Sequence, residues 1–330
     1  MITNIVKDQS TDCLNSYKEI KEKLNYFRKI SASGVESFSS EDFTKLNEEL
    51  NQFFNIQFSL FADTFPNKLF RISNNKHIRG KREKLQHIKE LTGPPKKKAG
   101  YGRCNIPGKS MFYAALDFQT AIWETQPQVG DYITVSEWSI KPDQYLNTHI
   151  VFNPQSPNQT VDSMGGKRAY SKFKEHGFKK FQKNNPDIIK ILDEIFSFLS
   201  SEFMKIVSYE KKKNFLFSAN YASNLMEFGE SAVGPRIEAI CYPSVKMGLG
   251  LTNIAILNEL VMEKLNIESI TMMNVLETDY NPDDLYSDKV LRVEEFQYTV
   301  TDFDFENDRI IYDPKEEMRQ VIELSQKNHE

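Results

Sequence analysis

Apolar residues recur at intervals of three and four along the first sixty positions. Leu14, Tyr17, Ile20, Leu24 and Phe27 form one stripe, and Phe43, Leu46, Leu50 and Phe53 a second, which begins where Ser39 to Asp42 reads as a helix start. Residues 12–60 are therefore predicted to be helical and to pack on a main body. The period then shortens. Leu69 to Ser73 (LFRIS) reads as a strand with Arg71 in its middle, and Met111 to Leu116 as another. A turn at Asp117 leads into a helix carrying Ala121, Ile122 and Glu124. Tyr132 to Ile140 and Gln144 to Phe152 alternate as strands, and Asn153 to Gly166 has loop composition. Ala169 to Tyr209 is predicted helical, with Pro186 placed like a first-turn proline and apolar residues over a broad face. Phe215 to Phe228 reads as a further helix. Ile237 to Val245, Thr252 to Leu257, Ile270 to Leu276 and Glu295 to Phe305 read as strands, and Lys315 to Gln326 as a charged helix. The pattern predicts three parts: a helical region at 1–65, a β-rich domain at 66–310 with a helical insertion near 169–209, and a C-terminal helix or tail at 311–330.

Length changes this picture little, since 330 residues suit one large domain with an appendage. Charge excludes more: 42 basic against 46 acidic residues is not the balance of a globally basic nucleic-acid binder. One stretch runs against that balance. From Lys68 to Lys98 there are eleven Lys and Arg against Glu83 and Glu90. This is either a solvated loop or an electrostatic collar for a phosphate-bearing ligand or RNA. Cys13, Cys104 and Cys241 have no metal-type spacing and leave an odd number, which suits reduced thiols. No signal peptide is expected at the N-terminus, and no uncharged apolar run approaches the ~20 residues of a bilayer span. A cytoplasmic location follows as the expectation.

The candidate chemistry gathers in Gly100 to Glu124, GYGRCNIPGKSMFYAALDFQTAIWE. Arg103, Tyr113 and Glu124 lie on a turn, a strand and a helix in succession, an order that can fold a cation, an aromatic hydroxyl and a carboxylate toward one cleft. Arginine's planar fork grips phosphate or carboxylate with two parallel bonds. Glu124 stands beside Ala121, Ile122 and Trp123, and a carboxylate among apolar neighbours needs a partner. A ligand hydroxyl can supply it, and so can a structural ion pair with Arg103. Other chemistries lack their signatures. Gly108-Lys109-Ser110 is not a P-loop, because position 103 is arginine where that motif needs glycine. No G-x-G-x-x-G opens a βαβ unit, no G-x-S-x-G is present, and the five histidines are unpaired in spacing, so no metal is expected.

These residues resemble the RES domain, the toxin component of RES–Xre toxin–antitoxin pairs. Family members show an Arg-x-Asn-x-x-Gly turn, an aliphatic–Tyr strand ending and a helix with Ala-x-x-Glu. Arg103, Asn105, Gly108, Tyr113, Ala121 and Glu124 stand at that spacing. Tyr242-Pro243-Ser244 matches the family's Tyr-Pro-Ser strand end, Asn253 to Leu257 its following Asn-hydrophobic run, and Arg71 its early arginine. The match covers roughly 66–152 and 214–258.

The resemblance implies an α+β fold, with an ADP-ribosyltransferase-like β-rich core, acting on NAD+ without a metal. Such enzymes cut the nicotinamide–ribose bond, by hydrolysis or phosphorolysis or by transfer of ADP-ribose to a target. It implies catalytic roles for Arg103, Tyr113, Glu124 and Ser244, and ligand-binding roles for Arg71, Asn105, Asn220, Tyr221 and Tyr242. Arg103, with Arg71, would hold phosphate or the nicotinamide-side ribose, and Tyr113 would pack against nicotinamide. Glu124 would bond the ribose hydroxyl or steady charge at the anomeric carbon, and Ser244 would bond the ligand or hold Glu124. An Xre-type antitoxin is the implied protein partner. Neither membrane nor nucleic acid is expected as a partner, and a homo-oligomer is left open. Within the same class, a mono-ADP-ribosyltransferase acting on protein is the runner-up. An RNA- or nucleotide-binding module using 68–98 and a pure interaction protein built on the helical regions, without turnover, stand well behind.

Overall fold

The computed structural model of the chain describes residues 17–54, 59–76, 78, 84–156, 164–177, 186–227, 235–245, 252–280, 291–293, 298–316 and 318–320. Along the first part of the chain the elements are α1 (Tyr17–Ser33), α2 (Ser40–Phe53), β1 (Leu69–Asn74), β2 (Met111–Ala115), α3 (Phe118–Thr125), β3 (Tyr132–Ile140), β4 (Thr148–Ile150) and α4 (Gly166–Lys172). There follow α5 (Ile188–Phe203), α6 (Leu216–Glu227), β5 (Ala239–Pro243), β6 (Thr252–Leu257), α7 (Asn258–Lys264), β7 (Leu265–Thr278), β8 (Leu291–Val293), β9 (Tyr298–Val300), β10 (Phe303–Asp304) and β11 (Arg309–Ile310). Helices and mixed-direction strands make this an α+β protein. The chain forms two compact units. The first comprises Met1–Phe65, Pro95–Met111 and Leu146–Leu257, and the second Pro66–Pro94, Phe112–Tyr145 and Asn258–Glu330.

In the first unit, α1 buries Ile20, Leu24, Phe27 and Ser31, one stripe at helical spacing. Ser39 caps α2 by accepting from the Asp42 amide at 3.1 Å. The Phe27 ring lies 5.3 Å from Phe53, 6.3 Å from Phe198 and 5.8 Å from Phe217. Four helices, α1, α2, α5 and α6, thus close on one aromatic core. Strand β5 is buried throughout and pairs parallel with β4 and antiparallel with β6. The single helix expected over Ala169 to Tyr209 is instead α4, a π turn at Phe173–Gly177 and α5, with 178–185 outside the described residues. Pro186 precedes α5 rather than opening it, because Asp187 is the N-cap. The strand expected over Gln144 to Phe152 shrinks to Thr148–Ile150, the residues that pair with β5. The residues before Leu146 belong to the second unit and turn instead, Gln144 N–H closing onto Lys141 O with Asp143 at φ 63°.

In the second unit the strand order is β2-β1-β3-β7, all antiparallel, with β8 and β9 both on β7. Trp138 is fully buried here, its indole N–H donating to Ser136 Oγ at 2.8 Å, with the Phe112 ring edge-on at 5.1 Å. Strand β7 runs 14 residues, well past the Ile270 to Leu276 read from alternation, since β3 pairs with it from Leu265 to Asn274. Helix α7 had no sequence forecast. The strand expected at Glu295 to Phe305 resolves into β9 and β10, and β10 forms a small hairpin with β11. Residues 12–16, 55–58, 157–163, 228, 295–297, 317 and 321–326 of the predicted elements also lie outside the described residues.

Candidate functional site

The sequence-predicted residues divide between the units, and each set has its own surroundings. In the first unit the loop before β2 is tied internally. Gly102 N–H donates to Asn105 O at 2.9 Å, and Gly108 N–H to Ala99 O at 2.9 Å. Gly108 sits at φ 84°, a left-handed position that favours glycine. The buried Asn105 amide donates to Gly100 O at 2.6 Å and Ile106 O at 3.2 Å, so this side chain staples the loop.

Arg103 leaves that loop half-buried. Its Nη1 donates to Phe203 O at 2.5 Å and Lys205 O at 2.8 Å, the carbonyls at the C-terminal end of α5. The guanidinium lies 4.9 Å from the Phe215 ring centroid and 6.0 Å from that of Tyr242. It therefore caps a helix end, where orphan carbonyls and the dipole both favour a cation. Among the described residues it pairs with no carboxylate. The buried Tyr242 also packs on Phe203 at 5.8 Å, and Ser244, buried, follows the end of β5. Structure brings Arg103 and Tyr242 together.

Asn220 and Tyr221 stand elsewhere in this unit, buried on α6. Asn220 donates to Asn47 at 3.0 Å and Asn51 at 2.8 Å on α2, and Asn224 to Asn51 at 3.2 Å. Tyr221 Oη lies 3.4 Å from His149 Nε2, and the Leu60 amide donates to His149 Nδ1 at 3.2 Å. That accepted bond places the imidazole proton on Nε2. Burial pushes the His149 pKa down to about 3.

In the second unit, Arg71 projects from β1 over the Phe112 ring, 5.2 Å from its centroid. Nη1 donates to Tyr113 O at 2.8 Å and Nη2 to Thr92 O at 3.2 Å. Its Nε–H is enclosed and reaches no acceptor among the described residues. Desolvation lowers the Arg71 pKa to about 10, partly opposed by Tyr113. Tyr113 is the half-buried centre of β2, so the structure brings Arg71 and Tyr113 together. Glu124 is half-buried on the last turn of α3, whose Ala121, Ile122 and Trp123 are buried. Asp117 caps that helix, accepting from Thr120 N–H at 2.8 Å. The Trp123 ring meets Tyr280 at 5.6 Å.

Sequence reasoning did not single out Phe112, Thr92, Phe203 or Phe215, the groups that hold the two arginines. No local signal marks them: each acts through an arginine distant in the chain or through its backbone carbonyl. Phe112 alone, beside Tyr113 in the strand, had a position that could have suggested it. Among the described residues no group of three or more His, Cys, Asp or Glu could hold a metal ion. None of the described helices is long and apolar enough to cross a membrane. No family model matches the chain, and no curated protein matches it.

Proposed function

We propose that this chain is an NAD+-consuming enzyme that cleaves the nicotinamide–ribose bond, with water or phosphate as acceptor. The observation that carries the reading is Arg71. A guanidinium seated by two carbonyls and a ring, with an enclosed Nε–H that reaches no acceptor among the described residues, is a cation placed before its anion arrives, and a buried donor left unmade is costly. Arg103, in the other unit, is likewise held by carbonyls and rings, with no carboxylate among the described residues. The RES resemblance supplies the rest: an ADP-ribosyltransferase-like core and an Xre-type antitoxin partner.

The chemistry asks little acid catalysis, because nicotinamide leaves as a neutral ring from a cationic one. It needs anchored phosphates and steadying of an oxocarbenium-like sugar. In this reading Arg71 binds pyrophosphate or the nicotinamide-side ribose, and Tyr113 packs on nicotinamide. Glu124 accepts from a ribose hydroxyl and orients the acceptor.

The test is NAD+ turnover by the purified chain, with and without phosphate, beside Glu124→Gln and Arg71→Lys. Nicotinamide release that falls at least a hundredfold in Glu124→Gln is expected, on the order of losing one charge-stabilising group. Unaltered turnover in a folded Glu124→Gln would sink the assignment. Label passing from adenylate-labelled NAD+ onto protein would identify the mono-ADP-ribosyltransferase instead.

A further inference from the structure

We propose that the first unit carries a single-stranded nucleic-acid surface made of two lysine turns and the aromatic pair between them. The first turn is the 3-10 helix Lys96–Lys98, whose three side chains are all exposed. The second, Tyr209–Phe215, presents Lys211, Lys212 and Lys213, also exposed. These triplets are remote in sequence, and two rings connect them. Lys213 Nζ lies 5.9 Å from the Phe43 ring centroid. Phe43 meets Tyr101 edge-on at 6.1 Å and 73°. Tyr101 follows Lys98 by three positions. The second turn ends at Phe215, the ring beneath Arg103, so one more cation closes that end.

Such a concentration of positive charge is unusual in a chain of net charge −4. Among the described residues Lys96, Lys97, Lys98, Lys211 and Lys213 pair with no carboxylate, so these five are not held in ion pairs. Of the carboxylates on the same elements, Asp42 accepts from Ser39 Oγ at 2.7 Å and Glu49 pairs with Lys23 at 2.6 Å, while Glu41, Glu48 and Glu210 are exposed. Mutual repulsion among the lysines is relieved by a polyanion. The half-buried rings of Phe43 and Tyr101 decide which one. A single strand alternates phosphates with bases, and lysines interleaved with aromatics match that alternation. An acidic peptide matches the charge and leaves the rings unused. The surface differs from the basic stretch read in sequence, because residues 68–94 of that stretch belong to the other unit.

The test is fluorescence anisotropy of a labelled oligouridylate on the full chain across a salt series, with poly-glutamate as the second probe. Three variants are compared: Lys96, Lys97 and Lys98 all to Ala; Lys211, Lys212 and Lys213 all to Ala; and Phe43→Leu. Each lysine triplet removed is expected to flatten the salt slope by about two, at ~0.7 per phosphate contact. Phe43→Leu is expected to weaken binding about tenfold with the slope unchanged. Thermal melts of each variant confirm that it is folded; if Phe43→Leu unfolds, Tyr101→Leu replaces it. Absent oligouridylate binding, or slopes equal to the parent in both folded triplet variants, overturns the proposal. So does poly-glutamate binding as tightly as the oligonucleotide, which would make the partner an acidic protein. None of these readouts requires NAD+ cleavage, so this inference stands or falls apart from the enzyme reading.

Discussion

His149 is buried among apolar neighbours with Nδ1 committed to the Leu60 amide and Nε2 facing Tyr221. Its pKa is held near 3 in the fold, whereas an unfolded histidine titrates near 6.5. Between those values the unfolded chain binds a proton that the folded chain does not, so stability falls as pH falls through that window. Urea unfolding should show a loss of ~2 kcal/mol between pH 8 and pH 5 from this residue. His149→Gln, though less stable throughout, should lack that part of the pH dependence. Glu202 runs the other way. Burial raises its pKa, against the pull of Ser31 and Lys205, so its charged form weighs on the fold above the ordinary glutamate range. Its Oε1 accepts from Ser31 Oγ at 2.7 Å, a bond the amide can keep. Glu202→Gln is therefore expected to match or exceed the parent in stability at pH 7, and a lower melting temperature would refute this. Arg103 has a third kind of local account. Its charge-assisted bonds to the α5 end predict that Arg103→Ala lowers unfolding free energy by about 1.5–3 kcal/mol, as read by urea denaturation.

Elements take their meaning from what they bury. Helix α1 has one stripe, and its Phe27 touches rings on α2, α5 and α6 at once. Phe27→Ala should cost about 3–5 kcal/mol, because a cavity at the meeting of four helices cannot collapse from one side. Equilibrium denaturation reads this directly, and a loss under 1 kcal/mol would show that the helices meet elsewhere. Helix α3 is short and depends on its ends: Asp117 caps the start, and Gln126 at φ 44° closes the finish through a 2.7 Å bond to Ile122 O. Strand β7 shows the reverse dependence, its length following the long ladder that β3 offers.

At the scale of the whole molecule, each unit is assembled from three separate stretches of chain, so neither is a contiguous piece. In the first unit, the helices before Phe65 cover Phe198, Phe217 and Asn220. Deleting residues 1–65 strips those partners, and the remaining chain is expected to lose its cooperative calorimetric transition or to become insoluble. A soluble truncate melting like the parent would mean that α1 and α2 contribute no core.

Periodicity by itself determined most elements: the α1 and α2 stripes, β1, β2, β3 and β6 nearly to their ends, and the Asp117 helix start. These follow from short-range physics, since apolar spacing, caps and turn residues act within a few positions. The turn–strand–helix order of the stretch that carries Arg103, Tyr113 and Glu124 was legible in the same way. Only the tertiary structure decided what the two arginines touch, that Asn105 staples its own loop, and that Asn220 faces α2. It also decided the break in the 169–209 region and the reach of β7. Those outcomes depend on backbone carbonyls, rings and ladder partners tens to a hundred positions away. A sequence pattern carries no record of a carbonyl's neighbour, and only folding brings Phe203 O to Arg103.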